Sequence, residues 1–352
     1  MKQVYFHKLN DNPSIEEQVN AVSKVIDIAK VSDLVSPNDF VAIKTHVGEK
    51  GNTTHIKPQL IKPVSNIILE KSAFPFVTET ATLYKCEREN AVKHLYLANK
   101  HGFTIENTGA PFILSDGLLG NMETKVKIDK EMLDEVEVAQ ELKYTDVLIT
   151  VSHPTGHMVA GLGATLKNLG MGMASRKGKM KQHSSMRPKV KGNCVLCKKC
   201  FDYCPKDAIY EKDSKAFIDE AKCIGCGECL TVCNFEAIAH NWGKDPSDLQ
   251  KMMAEFAYGA VKDRKCFYIN VLVDMTKECD CMGMEQHKAI RDIGIMGSYD
   301  PVALDRATLD ITKKHSTDNL AMISHPEIDA NVQLNHAEKI GLGSQSYEIV
   351  EI

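Results

Sequence analysis

The 352-residue chain lacks a long apolar run, an excess of one charge sign, and either of the usual nucleotide loops. Without an apolar stretch of membrane-spanning length, no helical span is expected. With 43 Lys and Arg against 47 Asp and Glu, the formal net charge of -4 describes an ordinary soluble globular chain and points to no polyanionic partner. G-x-G-x-x-G and the Walker lysine loop are both absent, which removes the simplest nucleotide-binding readings. The opening Met1-Lys-Gln-Val-Tyr-Phe-His-Lys has neither an apolar core segment nor a small-residue cleavage site, so no secretory signal is expected.

Acid is missing locally as well. From Val147 to Phe201, 55 residues carry no Asp or Glu, while Lys167, Arg176, Lys177, Lys179, Lys181, Arg187, Lys189, Lys191, Lys198 and Lys199 are basic. A one-sign block raises the local concentration of an anionic small molecule or an acidic partner protein. Nucleic acid is not expected as a ligand, because no aromatic residues interleave the basic ones. For most of the lysines between Arg176 and Lys191, a solvated linker is the plainer expectation.

What the chain does have is cysteine. Of twelve, eight fall into two runs of one spacing: Cys194, Cys197, Cys200 and Cys204, with Pro205 following, then Cys223, Cys226, Cys229 and Cys233, with Asn234 in the corresponding place. The second run repeats C-x2-C-x2-C-x3-C 29 positions after the first, and an Ala-Ile pair follows each at the same offset, Ala208-Ile209 and Ala237-Ile238. Zinc sites normally use paired C-x2-C hooks, which three closely spaced cysteines per run do not resemble. Three nearby thiolates wrap three corners of an iron-sulfur cubane and the fourth comes from elsewhere. In the bacterial-type pattern the fourth cysteine of each run serves the other run's cluster. That assigns Cys194, Cys197, Cys200 and Cys233 to one [4Fe-4S] cluster, and Cys204, Cys223, Cys226 and Cys229 to the other. The stretch from Lys189 to about His240 resembles the two-cluster ferredoxin module. Thiolate ligands require reduced cysteines, so a cytoplasmic location and a redox partner protein are expected.

Outside this module, strand-like and helix-like segments alternate, as in an α/β domain with a mainly parallel sheet. Strands are expected at Val4–His7, Phe40–Lys44, Phe74–Glu79, Val147–Val151, Phe267–Val273 and Tyr347–Val350. Helices are expected after Ser14, over Pro58–Lys71, about Glu87–Lys100, Pro246–Lys262, after Asp300-Pro301, and near Asn331–Lys339. Neither flank looks complete alone. One discontinuous α/β domain, residues 1–188 and 241–352, is therefore expected to carry a small inserted α+β ferredoxin-like domain at 189–240.

In an open parallel sheet, ligands bind beyond the carboxyl ends of the strands. Four strand ends here carry reactive side chains: Lys44, His46 and Glu49; Glu79, Thr80 and Thr82; His153 and His157; Asp274, Cys279 and Cys281. Between His153 and Gly172 lie Gly156, Gly161, Gly163 and Gly170, which allow close backbone approach to a bound group. A helix beginning near Gly161 would turn its amides toward an anion. Cys279 and Cys281 are open to metal ligation, a redox role, or simple free thiols, whereas Cys86 and Cys266 read as small apolar side chains. These residues suggest that His157, Lys167, His183, Lys44 and His46 bind an anionic substrate or move protons, with Gly161, Gly163, Cys279 and Cys281 at a cofactor.

The stretches Ile43-Lys-Thr-His-Val-Gly-Glu49, Ser152-His-Pro-Thr-Gly-His157, Leu166-Lys-Asn-Leu-Gly-Met-Gly172, Cys279-Asp-Cys281 and Asp292 to Ala303 resemble the family known as domain of unknown function 362, often found with a ferredoxin pair. A shorter likeness, over about thirty residues, is to the nickel-pincer lactate racemase, since His157, Lys167 and His183 are similar in order and spacing. That likeness implies a further metal or a lysine-tethered organic cofactor. Three functions follow as expectations: a redox-coupled enzyme, a non-enzymatic electron carrier or adaptor, and a racemase-like isomerase.

Overall fold

The computed structural model describes residues 1–183, 188–223, 227–239 and 245–352. Eight strands form its main sheet, in the spatial order Tyr347–Glu351, Lys2–Lys8, Gly294–Ser298, Lys265–Leu272, Val147–Ser152, Phe40–Lys44, Phe74–Glu79, Phe112–Leu114. Only the two pairings made by Gly294–Ser298 are antiparallel; the others run parallel. The class is thus α/β with a largely parallel sheet. The chain re-enters this sheet after the cysteine-rich stretch, through Lys265–Leu272 beside Val147–Ser152.

Alternation along the strands explains why both faces are covered. Val41 and Ile43, Ile149 and Val151, and Ile269 and Val271 enter one apolar cluster with the helices Ile15–Ile28 and Lys62–Glu70. Ala42, Leu148, Tyr268 and Met296 enter another, with helices that include Thr165–Gly170, Pro246–Val261 and Pro301–His315. Strands buried on both faces read as continuous apolar runs, as Val147–Ser152 does.

Local chemistry sets the helix ends. Ser14 and Glu17 make a reciprocal capping box, with Glu17 N–H 3.2 Å from Ser14 Oγ and Ser14 N–H 2.7 Å from Glu17 Oε2. The helix expected from about Glu87 begins at Ala91, because Asn90 supplies the cap to Lys93 N–H. The strand Gly294–Ser298 has no counterpart among the expected strands. Gly297 packs where a Cβ would press on Val25 and Phe267, so its glycines mark close packing and not a loop.

The cysteine-rich stretch repeats itself in backbone as well as sequence. Short helices begin after Lys198 and Gly227, residues 29 apart that both adopt positive φ. Asp207 and Glu236, three positions after Cys204 and Cys233, do the same. Their N–H groups donate to the Cys204 and Cys233 carbonyls at 3.2 and 3.3 Å, so Asn234 makes the turn that Pro205 makes. Cys200, Cys229, Cys233 and the neighbouring Ile209 and Ile238 form a third apolar cluster. No helix among the described residues is long and apolar enough to cross a membrane.

Candidate functional site

The carboxyl ends of four adjacent strands, Lys265–Leu272, Val147–Ser152, Phe40–Lys44 and Phe74–Glu79, open onto a cavity of about 520 Å³. Lys44, His46, His157, Lys167, His183 and Gly163 all line it, and so do Cys279 and Cys281. Gly161 does not. It sits at φ +70° on a short hairpin strand, where a Cβ would meet Ala330 and Ile328 O. Asp274 is also elsewhere, 3.3 Å from Lys288.

The glycine-rich stretch corrects one expectation. Gly161–Gly163 is a strand paired with Thr155–His157, and the helix begins only at Thr165. Its first amides do not await an anion, because Thr165 N–H and Leu166 N–H donate to the two carboxylate oxygens of Asp305 at 3.0 and 2.8 Å. Burial pushes Asp305 up to about 6, against these donors.

Of the four cationic side chains that line the cavity, Lys44, Arg88, Lys167 and Lys179, two are ammonium groups bonded to uncharged acceptors. Lys44 shares the strand face of Ala42 and is 1% exposed; its Nζ donates to Thr45 O at 2.6 Å and Asn168 Oδ1 at 2.7 Å. Burial lowers it to about 8, although Glu79 pulls the other way. Lys179 donates to Thr80 Oγ1, Ala81 O and Ala174 O at 2.5, 2.7 and 3.0 Å, and burial lowers it likewise to about 8. All five of these acceptors are uncharged. The helix Arg176–Gln182, capped by Ser175, therefore replaces the solvated linker expected there, with Arg176 and Lys179 buried and Lys181 held by Glu137. Lys189, Lys191, Lys198 and Lys199 remain exposed.

Arg88, which also lines the cavity, holds Glu49 Oε2 at 3.1 Å, Tyr84 OH at 2.9 Å and the His46 ring at 3.0 Å. Burial, only partly offset by Glu79, pushes His46 down to about 3, so this ring is neutral. His157 is also neutral, lowered by burial first and then by Lys167. Its Nδ1 accepts N–H from Val159 and Ala160 at 3.2 and 3.0 Å, leaving the proton on Nε2.

Lys167 does not stand free for a ligand. Its Nζ lies 2.8 Å from Cys279 Sγ. A hydrogen bond from Cys281, and then Lys167, outweigh burial and draw Cys279 down to about 5, while Cys281 is pushed well up. Asp280, between them, is held by His153, Asn52 and Thr54.

Arg88, Lys179 and Leu83 are site residues that the sequence does not single out. Arg88 is signalled only by the acid-bearing strand ends around it, Glu49 and Glu79, which need a buried cation. Lys179 is signalled by Ser175, a helix cap where a linker is expected.

Cysteines from both runs line two small cavities. One small cavity is lined by Cys194, Cys197, Cys200 and Cys233, and a second by Cys204, Cys223 and Cys229; Cys226 lies outside the described residues. Ala208 N–H and Ala237 N–H, the first members of the repeated Ala-Ile pairs, reach Cys204 and Cys233 Sγ at 3.2 and 3.3 Å. Thiols set around a cavity, with amides aimed at sulfur, fit a cubane's corners. Among the described residues no three His, Cys, Asp or Glu are placed to hold a single metal ion.

The two regions touch. Leu83 lines the large cavity and also belongs to the apolar cluster of Cys200, Cys229 and Cys233. Two residues on, Lys85 Nζ donates to Cys233 O at 2.7 Å.

A family model described as a domain of unknown function (DUF362) matches residues 41–310. A component of an ion-translocating oxidoreductase complex from Methanosarcina acetivorans is 44% identical over 45 residues, 13% of this chain and 17% of that one. An uncharacterised ferredoxin of Methanocaldococcus jannaschii is 43% identical over 47 residues, 13% of this chain and 31% of that one. The chain thus covers less than a third of either relative's length. Among solved structures, the lactate racemase apoprotein from Thermoanaerobacterium thermosaccharolyticum aligns with a TM-score of 0.39 at 10% identity, over 76% of this chain and 50% of that one.

Proposed function

From the premise that the chain belongs to the DUF362 family, we propose that it is an iron-sulfur redox enzyme whose large cavity binds an anionic small molecule. Two [4Fe-4S] clusters, one held by Cys194, Cys197, Cys200 and Cys233 and the other by Cys204, Cys223, Cys226 and Cys229, would supply single-electron transfer. The similarity to ferredoxins supports iron-sulfur binding over this segment. The same reading divides the chain into an α/β domain, 1–188 with 241–352, and a ferredoxin-like insert, 189–240. It expects a cytoplasmic protein served by a redox partner.

The observation that carries this reading is the shared position of Leu83, at once cavity wall and part of the cysteine cluster. Lys44 and Lys179 attract the anion, since their buried ammonium groups meet only uncharged acceptors in the bonds they make. His157, with its proton on Nε2, donates a hydrogen bond to the bound molecule and so orients it. An electron carrier or adaptor would have no need to gather these side chains at one cavity, which weighs against that alternative.

The test is anaerobic: reduce the cluster-loaded protein, mix it with a panel of small carboxylates and oxyanions, and follow reoxidation by visible absorbance. At least one anion should speed reoxidation in the native chain and fail to do so in His157→Phe, which keeps a ring but removes the donor. If no anion changes the rate, the redox-enzyme reading fails. The isomerase reading draws on the shared wall of His157, Lys167 and His183. It would be favoured if mass spectrometry of the purified protein found an organic group on Lys167.

A further inference from the structure

We infer that Cys279 and Cys281 form a dithiol-disulfide couple within the cavity, with Lys167 holding the Cys279 sulfur of the reduced form. The inference rests on the proposed function for its electrons, but its geometry stands separately.

The two thiols are presented by a built turn. Met282 N–H donates to Cys279 O at 2.9 Å, closing the turn over Asp280 and Cys281. Asp280 is locked in place: His153 Nδ1 lies 2.8 Å from Oδ2, Asn52 Nδ2 and Thr54 Oγ1 lie 3.3 and 3.2 Å from Oδ1, and Glu49 N–H donates to Asp280 O at 2.9 Å. With Asp280 held in place, Cys279 and Cys281 on either side of it both line the cavity. Cys281 N–H lies 3.4 Å from Cys279 Sγ, so the first sulfur is already over the second residue.

Lys167 gives the pair its direction. A half-buried ammonium 2.8 Å from Cys279 Sγ favours thiolate over thiol at that sulfur and leaves Cys281 as the proton holder. The opposite shifts of the two thiols agree with a single shared proton. Cys266 shows the contrast, since burial pushes it up to about 11 and makes it inert.

The chemistry balances simply. On reduction the Cys279–Cys281 S–S bond breaks, two electrons enter, Cys279 leaves as a thiolate facing Lys167, and Cys281 takes one proton. On oxidation the bond re-forms, Cys281 gives up its proton, and two electrons pass to an electron-accepting anion in the cavity. Two single-electron deliveries through the ferredoxin-like insert, or one external dithiol, reset the pair. The couple would thereby convert one-electron supply into a two-electron reaction.

The test reads covalent state, not turnover. Equilibrate the full cluster-loaded chain anaerobically with graded ratios of reduced to oxidised dithiothreitol. Quench in acid, alkylate, digest, and measure by mass spectrometry the fraction of peptide in which Cys279 is linked to Cys281. The linked peptide should rise to dominance as the buffer becomes oxidising. In Lys167→Gln the midpoint should move about tenfold toward reduced dithiothreitol, about 30 mV for a two-electron couple, while Lys167→Arg should stay close to the native value. Absence of the linked peptide at every ratio, or a midpoint indifferent to Lys167→Gln, would overturn the inference. A couple that titrates in a protein whose reduced clusters ignore every anion would uphold the dithiol and sink the proposed enzyme function instead.

Discussion

His153 and Asp280 form a buried pair, with ring Nδ1 2.8 Å from carboxylate Oδ2 and ring Nε2 3.0 Å from the Val273 carbonyl oxygen. Both ring nitrogens thus face acceptors, which only the imidazolium can satisfy together. Burial works against that charge, but Asp280 outweighs it and raises His153. The pair joins the strand end at Ser152 to the turn that carries both cavity thiols.

Asp280→Asn leaves His153 buried without its counter-charge and should cost about 3–5 kcal/mol in urea unfolding. The pH dependence has a definite sign. A histidine raised in the folded state contributes stability fully below its unfolded value, near 6.5, and loses it as pH rises through the folded one. The gap between native and variant should be widest near about pH 6 and narrow at higher pH. A gap that grows with pH would mean that His153 is not charged in the folded protein.

Lys44 gives the opposite sign. Its folded value, about 8, lies below the ordinary 10.5. Its burial therefore costs stability in full below about pH 8, and the cost is released as pH climbs toward 10.5. Lys44→Met should be more stable than the native chain at neutral pH, by on the order of 1–3 kcal/mol, and the advantage should fade in alkali. The same variant should bind a probe anion such as oxalate at least about tenfold more weakly, or about 1.4 kcal/mol. Calorimetry at two pH values separates the effects; equal oxalate binding by both proteins would remove Lys44 from the anion site.

How much of this is written in the sequence depends on range. Ser14 with Glu17, and Asp300 with Pro301, act within one helical turn, so both helix starts are legible. The strand-end rule gathers Lys44, His46, His157 and Cys279 because the sheet is parallel where they lie. What escapes depends on partners far along the chain. Nothing near Thr165 announces that Asp305, 140 residues later, takes its amide. Lys179 reads as one of many solvent-facing lysines until Thr80 and Ala81 close over it. Nothing near Gly297 in sequence signals the close contact it makes with Val25 and Phe267.

Cross-ligation can be tested by iron content. Cys204 lines the cavity of Cys223 and Cys229, not that of its sequence neighbour Cys200. A chain with two cubanes carries roughly eight irons. Cys204→Ala should lose roughly four of them, and adding Cys223→Ala should remove little more, because both changes strike one cluster. Adding Cys194→Ala instead should remove most of the remainder. If the Cys204 and Cys194 changes prove redundant with each other, each run holds its own cluster and the crossed assignment is wrong.

Leu83 offers the sharpest test of communication between the two halves. It belongs to the apolar cluster of Cys200 and Cys233 and also walls the cavity. Leu83→Ala opens a gap at that junction and should cost about 2–5 kcal/mol, as buried leucine truncations do. Stability alone would not distinguish a packing role from a conducting one. Iron content should stay native while anion-driven reoxidation of the reduced clusters slows by about tenfold, since a packing gap separates the cysteine cluster from the bound acceptor. Lys85→Met supplies the control: it removes the ammonium 2.7 Å from Cys233 O but leaves Leu83 in place. Losing a nearby positive charge disfavours the electron-rich state, so the reduction potential should fall without a gap being opened. If Leu83→Ala reoxidises at the native rate, electrons do not pass through this junction, and the cavity and the cysteine-rich insert are neighbours without being partners.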